Sequence, residues 1–303
     1  MDESPAVVSA AAFPLGHVWI VGAGRLGLAL ALRLRDSGAV DAITVSGRAA
    51  SPREHPVFAS PPIPIAYLAG LGAAPPHPSA VLIAVPDRAV GQVAGRLAAL
   101  GIAPSVPILH TSGSLSLDVL APLGDAGHPV GSVHPLAAVA DGGDGAERLR
   151  GVAWGIEGQG AAAEAAERVV RACEGRALRI SPGHKAEYHA AAVFAANYGV
   201  ALLSIAERLM GQAGVMEQDA RASLAALAEG AVRNVAAHGP AAALTGPIAR
   251  GDAETVERHL ARLSPDLRAI YCLLGREALR LARGAGLDPA AAHRLAALLE
   301  DTE

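Results

Sequence analysis

The sequence predicts two domains of different class: an N-terminal α/β domain on a mostly parallel, doubly wound sheet, and an all-α C-terminal domain. Three observations carry the prediction. From residue 17 to residue 181, short apolar runs alternate with amphipathic helical patterns, as in a parallel sheet covered on both faces. After Pro182 the apolar period becomes helical and strand signals stop. At 303 residues, 51% of them apolar, the chain can bury two cores.

The elements follow in order. Residues 1–14 begin acidic and lack a basic segment, so they read as a flexible tail rather than a signal peptide. The first domain is expected over residues 15–182. Its opening apolar run, His17–Val21, reads as a buried strand. Gly22, Gly24 and Gly27 then give G-x-G-x-x-G, and an amphipathic helix runs on to Gly38. Between a strand and a helix this spacing is a dinucleotide fingerprint. Gly22 permits the tight turn, Gly24 lets backbone approach a pyrophosphate, and Gly27 lets helix and strand pack closely. The free N–H groups of the helix start face the phosphates. Ala23, Arg25 and Leu26 complete the turn, and the domain is expected to be of Rossmann type.

The second strand lies within "AITVSGRAAS", residues 42–51. An NAD site usually carries an acid here for the ribose 2′-hydroxyl. None stands between Asp41 and Arg53; Ser46 and Arg48 stand there instead. A hydroxyl and a guanidinium suit a 2′-phosphate, so the expected cofactor is NADP, with Arg25 adding charge. Residues 51–79 are rich in Pro and show little periodicity.

Three further strands end in candidate ligand contacts: "AVLIAVPDRAV" at Val85, Pro86 and Asp87, "VPILHTSG" at His110, Thr111 and Ser112, and "PVGSVHPL" at His134. Ligands of such sheets sit at the carboxyl ends of strands. Asp87 and Ser112 also fit as caps of the helices that follow. His134 precedes a proline and is held extended. Residues 151–158 and 176–181 read as two last strands around a helix over 161–175.

The helical domain is expected over residues 183–303, with helices near 183–212, 216–237 and from Asp252 to Leu263, and cap-then-Pro starts at Ser264–Pro265 and Asp288–Pro289. The apolar stretch 190–203 reads as a helix buried inside a protein, too short to cross a membrane, and Asn197 within it needs a hydrogen-bond partner. The loop 239–252 offers Thr245 and Arg250 as substrate-binding groups. A cleft between the two domains is the expected substrate site.

Lys185 is the only lysine among 25 Lys plus Arg residues. It opens the first long helix, and His189 shares its face at i, i+4. A buried ammonium can release its proton near neutrality and a guanidinium cannot. A helix N-terminus also disfavours a cation, which lowers the pKa of a lysine there. Lys185, His189 and, from the end of its strand, His134 are therefore candidate catalytic residues.

Composition narrows the class. Net charge is −4 and no basic stripe appears, which argues against nucleic acid. Cys173 and Cys272 lie alone in helical patterns without metal spacing, as reduced core residues of a cytoplasmic protein do. No metal site, membrane partner or internal repeat is expected. The apolar C-terminal helices suggest a homodimer.

On "GAGRLG", "VPDRAV", "HTSG", "SVHPL", "KAEYHAAAVFAANY" and "LTGPIARGD" the chain resembles the bacterial Rossmann-like family with a C-terminal domain of unknown function 2520, from Gly22 to about Leu281. That family is similar to the 6-phosphogluconate dehydrogenase-type reductases, among them ketopantoate reductases, pyrroline-5-carboxylate reductases, prephenate dehydrogenases and deazaflavin-dependent NADP reductases. The resemblance implies a Lys at the start of the first C-domain helix and an Asn further along that handle the substrate; Lys185 and Asn197 match. Ala137 and Ala138 stand where members usually carry polar residues. The expected function is an NADP-dependent oxidoreductase acting on a carbonyl or imine carbon of a small, carboxylate-bearing substrate. The alternatives are a non-catalytic NADP sensor and a deazaflavin-linked NADP reductase.

Overall fold

The computed structural model describes residues 14–59, 62–139 and 145–300. The tail expected over residues 1–14 lies outside the described residues except for Pro14. Packing divides the chain into two units, one ending at Gly199 and one beginning at Val200.

The first unit is built on one eight-stranded sheet. Its strands are β1 (His17–Val21), β2 (Ala42–Gly47), β3 (Ile65–Ala69), β4 (Ala80–Ile83), β5 (Ile108–His110), β6 (Val130–Pro135), β7 (Ala153–Gly158) and β8 (Arg176–Arg179), in spatial order β3-β2-β1-β4-β5-β6-β7-β8. All neighbours are parallel except β6 and β7. The strand order reverses at β1, which puts the turn after β1 at the switch point where such sheets bind ligands.

Both faces of the sheet are covered, which is why its central strands are apolar throughout. Val18 and Ile20 face one core with α1 (Arg25–Asp36), while Trp19 and Val21 face another with α2 (Asp87–Ala98) and α3 (Ala121–Asp125). Helix α4 (Gly160–Ala172) joins the α1 side through Ala162, Ala166 and Val169. Leu28, Leu30 and Leu34 of α1 are fully buried, each contributing about 1.5–3 kcal/mol. The chain leaves α1 at Gly38, whose φ of +69° suits the left-handed turn a helix end uses.

A continuous helical stretch follows the sheet: α5 (Lys185–Ala192), a π-helical turn (Val193–Asn197) and α6 (Tyr198–Gln212). Here the structure corrects the sequence reading. The run 190–203 is not buried: Phe194 is 69% exposed and Val200 69%. By length and composition alone, Lys185–Gln212 could cross a membrane. Its apolar residues reflect a face presented outward, a feature periodicity does not separate from burial in a core.

The second unit continues with α7 (Glu217–His238), α8 (Pro240–Ala243), α9 (Ala253–Leu260), α10 (Pro265–Gly284) and α11 (Pro289–Glu300). Its core holds Val256, Leu260, Cys272, Leu279, Leu295 and Leu299. The expected starts are seen: Asp252 accepts from Thr255 N–H at 3.0 Å, and Asp288 from Ala291 N–H at 2.8 Å. Cys173 and Cys272 are both free and buried.

Candidate active site

The turn after β1 forms a cradle, and its three glycines divide the work. A Cβ on Gly22 would meet the Ala84 carbonyl, and one on Gly27 the Gly22 carbonyl, so both positions are closed by backbone. A Cβ on Gly24 would meet nothing within 4 Å. The middle glycine thus opens on free space at the uncapped start of α1, as a dinucleotide pyrophosphate requires. Ala23 and Leu26 are half-buried, and Arg25 is exposed at the first helical position. Val85 borders Gly22, with Pro86 and Asp87 beyond it.

The end of β2 adjoins this cradle, because a Cβ on Gly47 would come within 2.9 Å of Ala23 Cβ. The next residue, Arg48, is exposed and has no ion-pair partner among the described residues. Ser46 does not join it. Its side chain is buried, and its hydroxyl accepts a hydrogen bond from Trp19 Nε1 at 2.8 Å. Strand alternation turns Ser46 into the core and leaves Arg48 as the exposed one of the two residues the sequence offered there. Thr111 and Ser112 are likewise engaged internally. Thr111 Oγ1 donates to the Ile83 carbonyl at 3.3 Å, and Ser112 Oγ accepts from Leu115 N–H at 3.1 Å within the loop, so Ser112 does not cap the following helix, which starts at Leu117 after Ser116. Asp87 does not cap α2; it accepts from Ser114 Oγ at 2.7 Å and so ties the loop after β5 to the start of α2.

A second group gathers beside β6. Ser132 and His134 alternate on one face of that strand, opposite Glu157 and Gly155 of β7. Helix α5 brings Lys185, Tyr188 and His189, spaced i, i+3, i+4, onto one face. Lys185 Nζ donates to Ser132 Oγ at 2.7 Å, and Lys185 is only 2% exposed. Its Nζ lies 5.6 Å from the centre of the Tyr188 ring, within cation–π range. Tyr188 Oη lies 3.0 Å from His134 Nδ1 and accepts the Gly155 N–H. Gly155 has to be glycine, since a Cβ there would run into the Tyr188 ring. The rings of His134 and His189 meet 6.2 Å apart over Gly113, where a Cβ would stand 2.8 Å from His134 Nε2. His110, fully buried at the end of β5, accepts from Ser112 N–H on Nδ1 at 3.2 Å, which puts its ring proton on Nε2.

Electrostatics assign the charges. Burial first, and then the Lys185 charge, push both His110 and His134 down to about 4, so both rings are neutral at pH 7. Burial pushes Lys185 down to about 8, against the pull of Glu157. Burial raises Tyr188 to about 12, partly offset by the Gly155 amide. At neutral pH Lys185 is therefore a weakly acidic ammonium beside the neutral rings of His110 and His134.

Of the sequence candidates, Lys185, His134 and His189 come together. Asn197 is exposed in the π-helical turn and has no side-chain partner among the described residues, contrary to the expectation. Thr245 and Arg250 are exposed residues of the second unit, in the loop between α8 and α9. The sequence reading missed Ser132, Tyr188 and Glu157. Ser132 stands two residues before His134 and Tyr188 three after Lys185, so shared faces point to both. Glu157 has no such signal until the antiparallel pairing is known.

A Rossmann-like domain model matches residues 3–135, and the model of a domain of unknown function, DUF2520, matches residues 152–278. No curated protein matches the chain. Among solved structures, protein TM1727 of Thermotoga maritima is similar at 22% identity with a TM-score of 0.65, over 88% of this chain and 99% of that one. The Plasmodium falciparum pyrroline carboxylate reductase with NADP bound is similar at 12% identity and TM-score 0.58, over 93% and 97%. A reductive aminase of Aspergillus terreus in complex with NADPH and ethyl-5-oxohexanoate is similar at 19% identity and TM-score 0.56, over 94% and 92%. At these identities the likeness is one of fold.

Proposed function

From a chain that joins a Rossmann-like domain to a domain of unknown function 2520, we propose an NADP-dependent reductase in which Lys185 is the proton donor. The substrate is a small, carboxylate-bearing compound with a carbonyl or imine carbon. One observation carries the reading: the single lysine is buried against β6, hydrogen-bonded to Ser132 and beside the neutral rings of His110 and His134. When bound, a nicotinamide supplies the hydride to the substrate carbon. Lys185 gives a proton to the attached oxygen or nitrogen, which balances the reduction. A positioned acid is worth typically about 10²–10⁴ in rate, most when its pKa lies near the working pH, and a lysine at about 8 meets that condition. His134 and His110 are too weakly basic to be the charged donor at pH 7. Their neutral rings suit hydrogen bonding to the reacting atom instead. Gly22, Gly24 and Gly27 would hold the pyrophosphate, and Arg48 with Arg25 the 2′-phosphate.

The cofactor preference and the reaction are tested together. Fluorescence titration should give tighter binding of NADPH than NADH, and Arg48→Ala should erase the difference. Equal affinities in the wild type overturn the NADP assignment. A panel of 2-keto acids and cyclic imines with NADPH should yield turnover. Tight NADPH binding without turnover across the panel would favour the rival reading, a sensor. We also read the exposed apolar helices as a homodimer face and the free, buried cysteines as those of a cytoplasmic protein.

A further inference from the structure

Among the described residues Lys185 has one hydrogen-bond partner, the neutral Ser132 hydroxyl. Directly across the β6–β7 ladder from Ser132 stands Glu157. Opposed residues of an antiparallel pair share a face, with Cβ atoms about 4.5–5.5 Å apart. Glu157 is 7% exposed, and its Oε2 is buried with no hydrogen-bond partner among the described residues. An ammonium, a hydroxyl and a carboxylate thus occupy one buried patch. Neither charge is tolerable there alone: an unpaired ion in a protein interior costs several kcal/mol.

We propose that Glu157 is a positioning residue for the reductase reaction, compensating the Lys185 ammonium across the ladder and holding it against Ser132. This rests on the reading of Lys185 as proton donor. The surroundings leave Glu157 as the carboxylate that acts on Lys185 among the described residues. From β5 and β6, His110 and His134 face the lysine as neutral rings, and from α5 Tyr188 presents its ring face. Burial raises the Glu157 pKa, Lys185 lowers it, and Asp118 adds to the rise. In return Glu157 lifts the Lys185 pKa against desolvation. Ser132 fixes the direction of the ammonium, and Glu157 sets how strongly it keeps its proton.

Because the chain has one lysine, protein labelled with ¹³Cε-lysine gives a single lysine signal, and its pH titration reads this site without substrate or cofactor. The wild-type signal should titrate near 8, with a second, smaller shift in acid as Glu157 takes up its proton. In Glu157→Gln the main midpoint should fall by roughly one pH unit, the usual effect of removing a nearby opposite charge. Glu157→Asp keeps the charge on a shorter stem, folds more readily, and should give a smaller fall. Identical midpoints in wild type and variants, or no acid-range shift in the wild type, overturn the proposal. NADPH affinity, measured separately, should be unchanged in both variants. Its loss in the wild type would strike at the reductase reading and leave the Lys185–Glu157 coupling standing.

Discussion

Lys185 shows how far a single residue can be read. Its isolation among arginines marks it in the sequence, and helix spacing brings His189 to its face. Its burial and its partner depend on β6 and are invisible without the fold. If it were a surface charge, Lys185→Arg would cost under about 0.5 kcal/mol and leave activity intact. As a buried donor with a pKa of about 8 it cannot be replaced so. A guanidinium keeps its proton to above about pH 12. Lys185→Arg should bind NADPH as the wild type does and lose about 10² or more in turnover. The pH profile follows from the same group. An acid works only while protonated, so wild-type kcat/KM should fall as pH rises through about 8. A flat profile across that range, or wild-type turnover in Lys185→Arg, moves the donor role to His189. Ser46 teaches the opposite lesson. Its type and place suit a 2′-phosphate, yet one step of strand alternation points it at Trp19.

At the scale of elements, the strand–glycine–helix unit was legible because each glycine has a different steric duty. The two predicted duties separate by substitution. Gly27→Ala would drive a methyl into the Gly22 carbonyl and push α1 from β1, loosening Leu28, Leu30 and Leu34. Overpacking of this kind typically costs about 1–3 kcal/mol. Gly24→Ala meets open space and should fold nearly as the wild type, while its methyl stands where phosphate must approach. Urea denaturation should therefore single out Gly27→Ala, and NADPH titration Gly24→Ala; the reverse pattern would mean the turn is not a phosphate cradle. Other elements were hidden for physical reasons. β3 is an edge strand, half exposed, in a Pro-rich segment, so no buried apolar run announces it. The antiparallel direction of β7 leaves no trace in periodicity, and with it the Ser132–Glu157 pairing stays out of sight.

For the whole molecule, the apolar C-terminal helices are the feature from which a homodimer is expected, while their run 190–203, which reads as buried in the sequence, is exposed in the structure. Phe194, Val200, Leu227 and Val232 are each at least 68% exposed, and α7 carries half of them. Within α7, Val232 and Val235 lie one turn apart and are 68% and 44% exposed, and apolar surface gathered on one helix face marks association. Two occupants fit such a face, a bilayer or a second copy. The charges decide between them. Arg221 of α7 pairs with Glu207 of α6 at 2.7 Å, and Glu229 pairs with Arg233 beside Val232. Ion pairs flanking an apolar stripe are ordinary at a protein interface and costly in hydrocarbon. Lys185, at the start of the same helical stretch, is sealed against β6 rather than placed at a lipid headgroup. The expected state is a homodimer of twice 30.5 kDa. Sedimentation at micromolar concentration should show that mass for the wild type. Val232→Glu with Val235→Glu, one turn apart on α7, should shift it to the monomer, because two charges on one helix face would meet the partner's apolar side chains, while circular dichroism stays unchanged. A wild-type monomer at these concentrations, or its co-sedimentation with neutral phosphatidylcholine vesicles, would assign the face to another occupant.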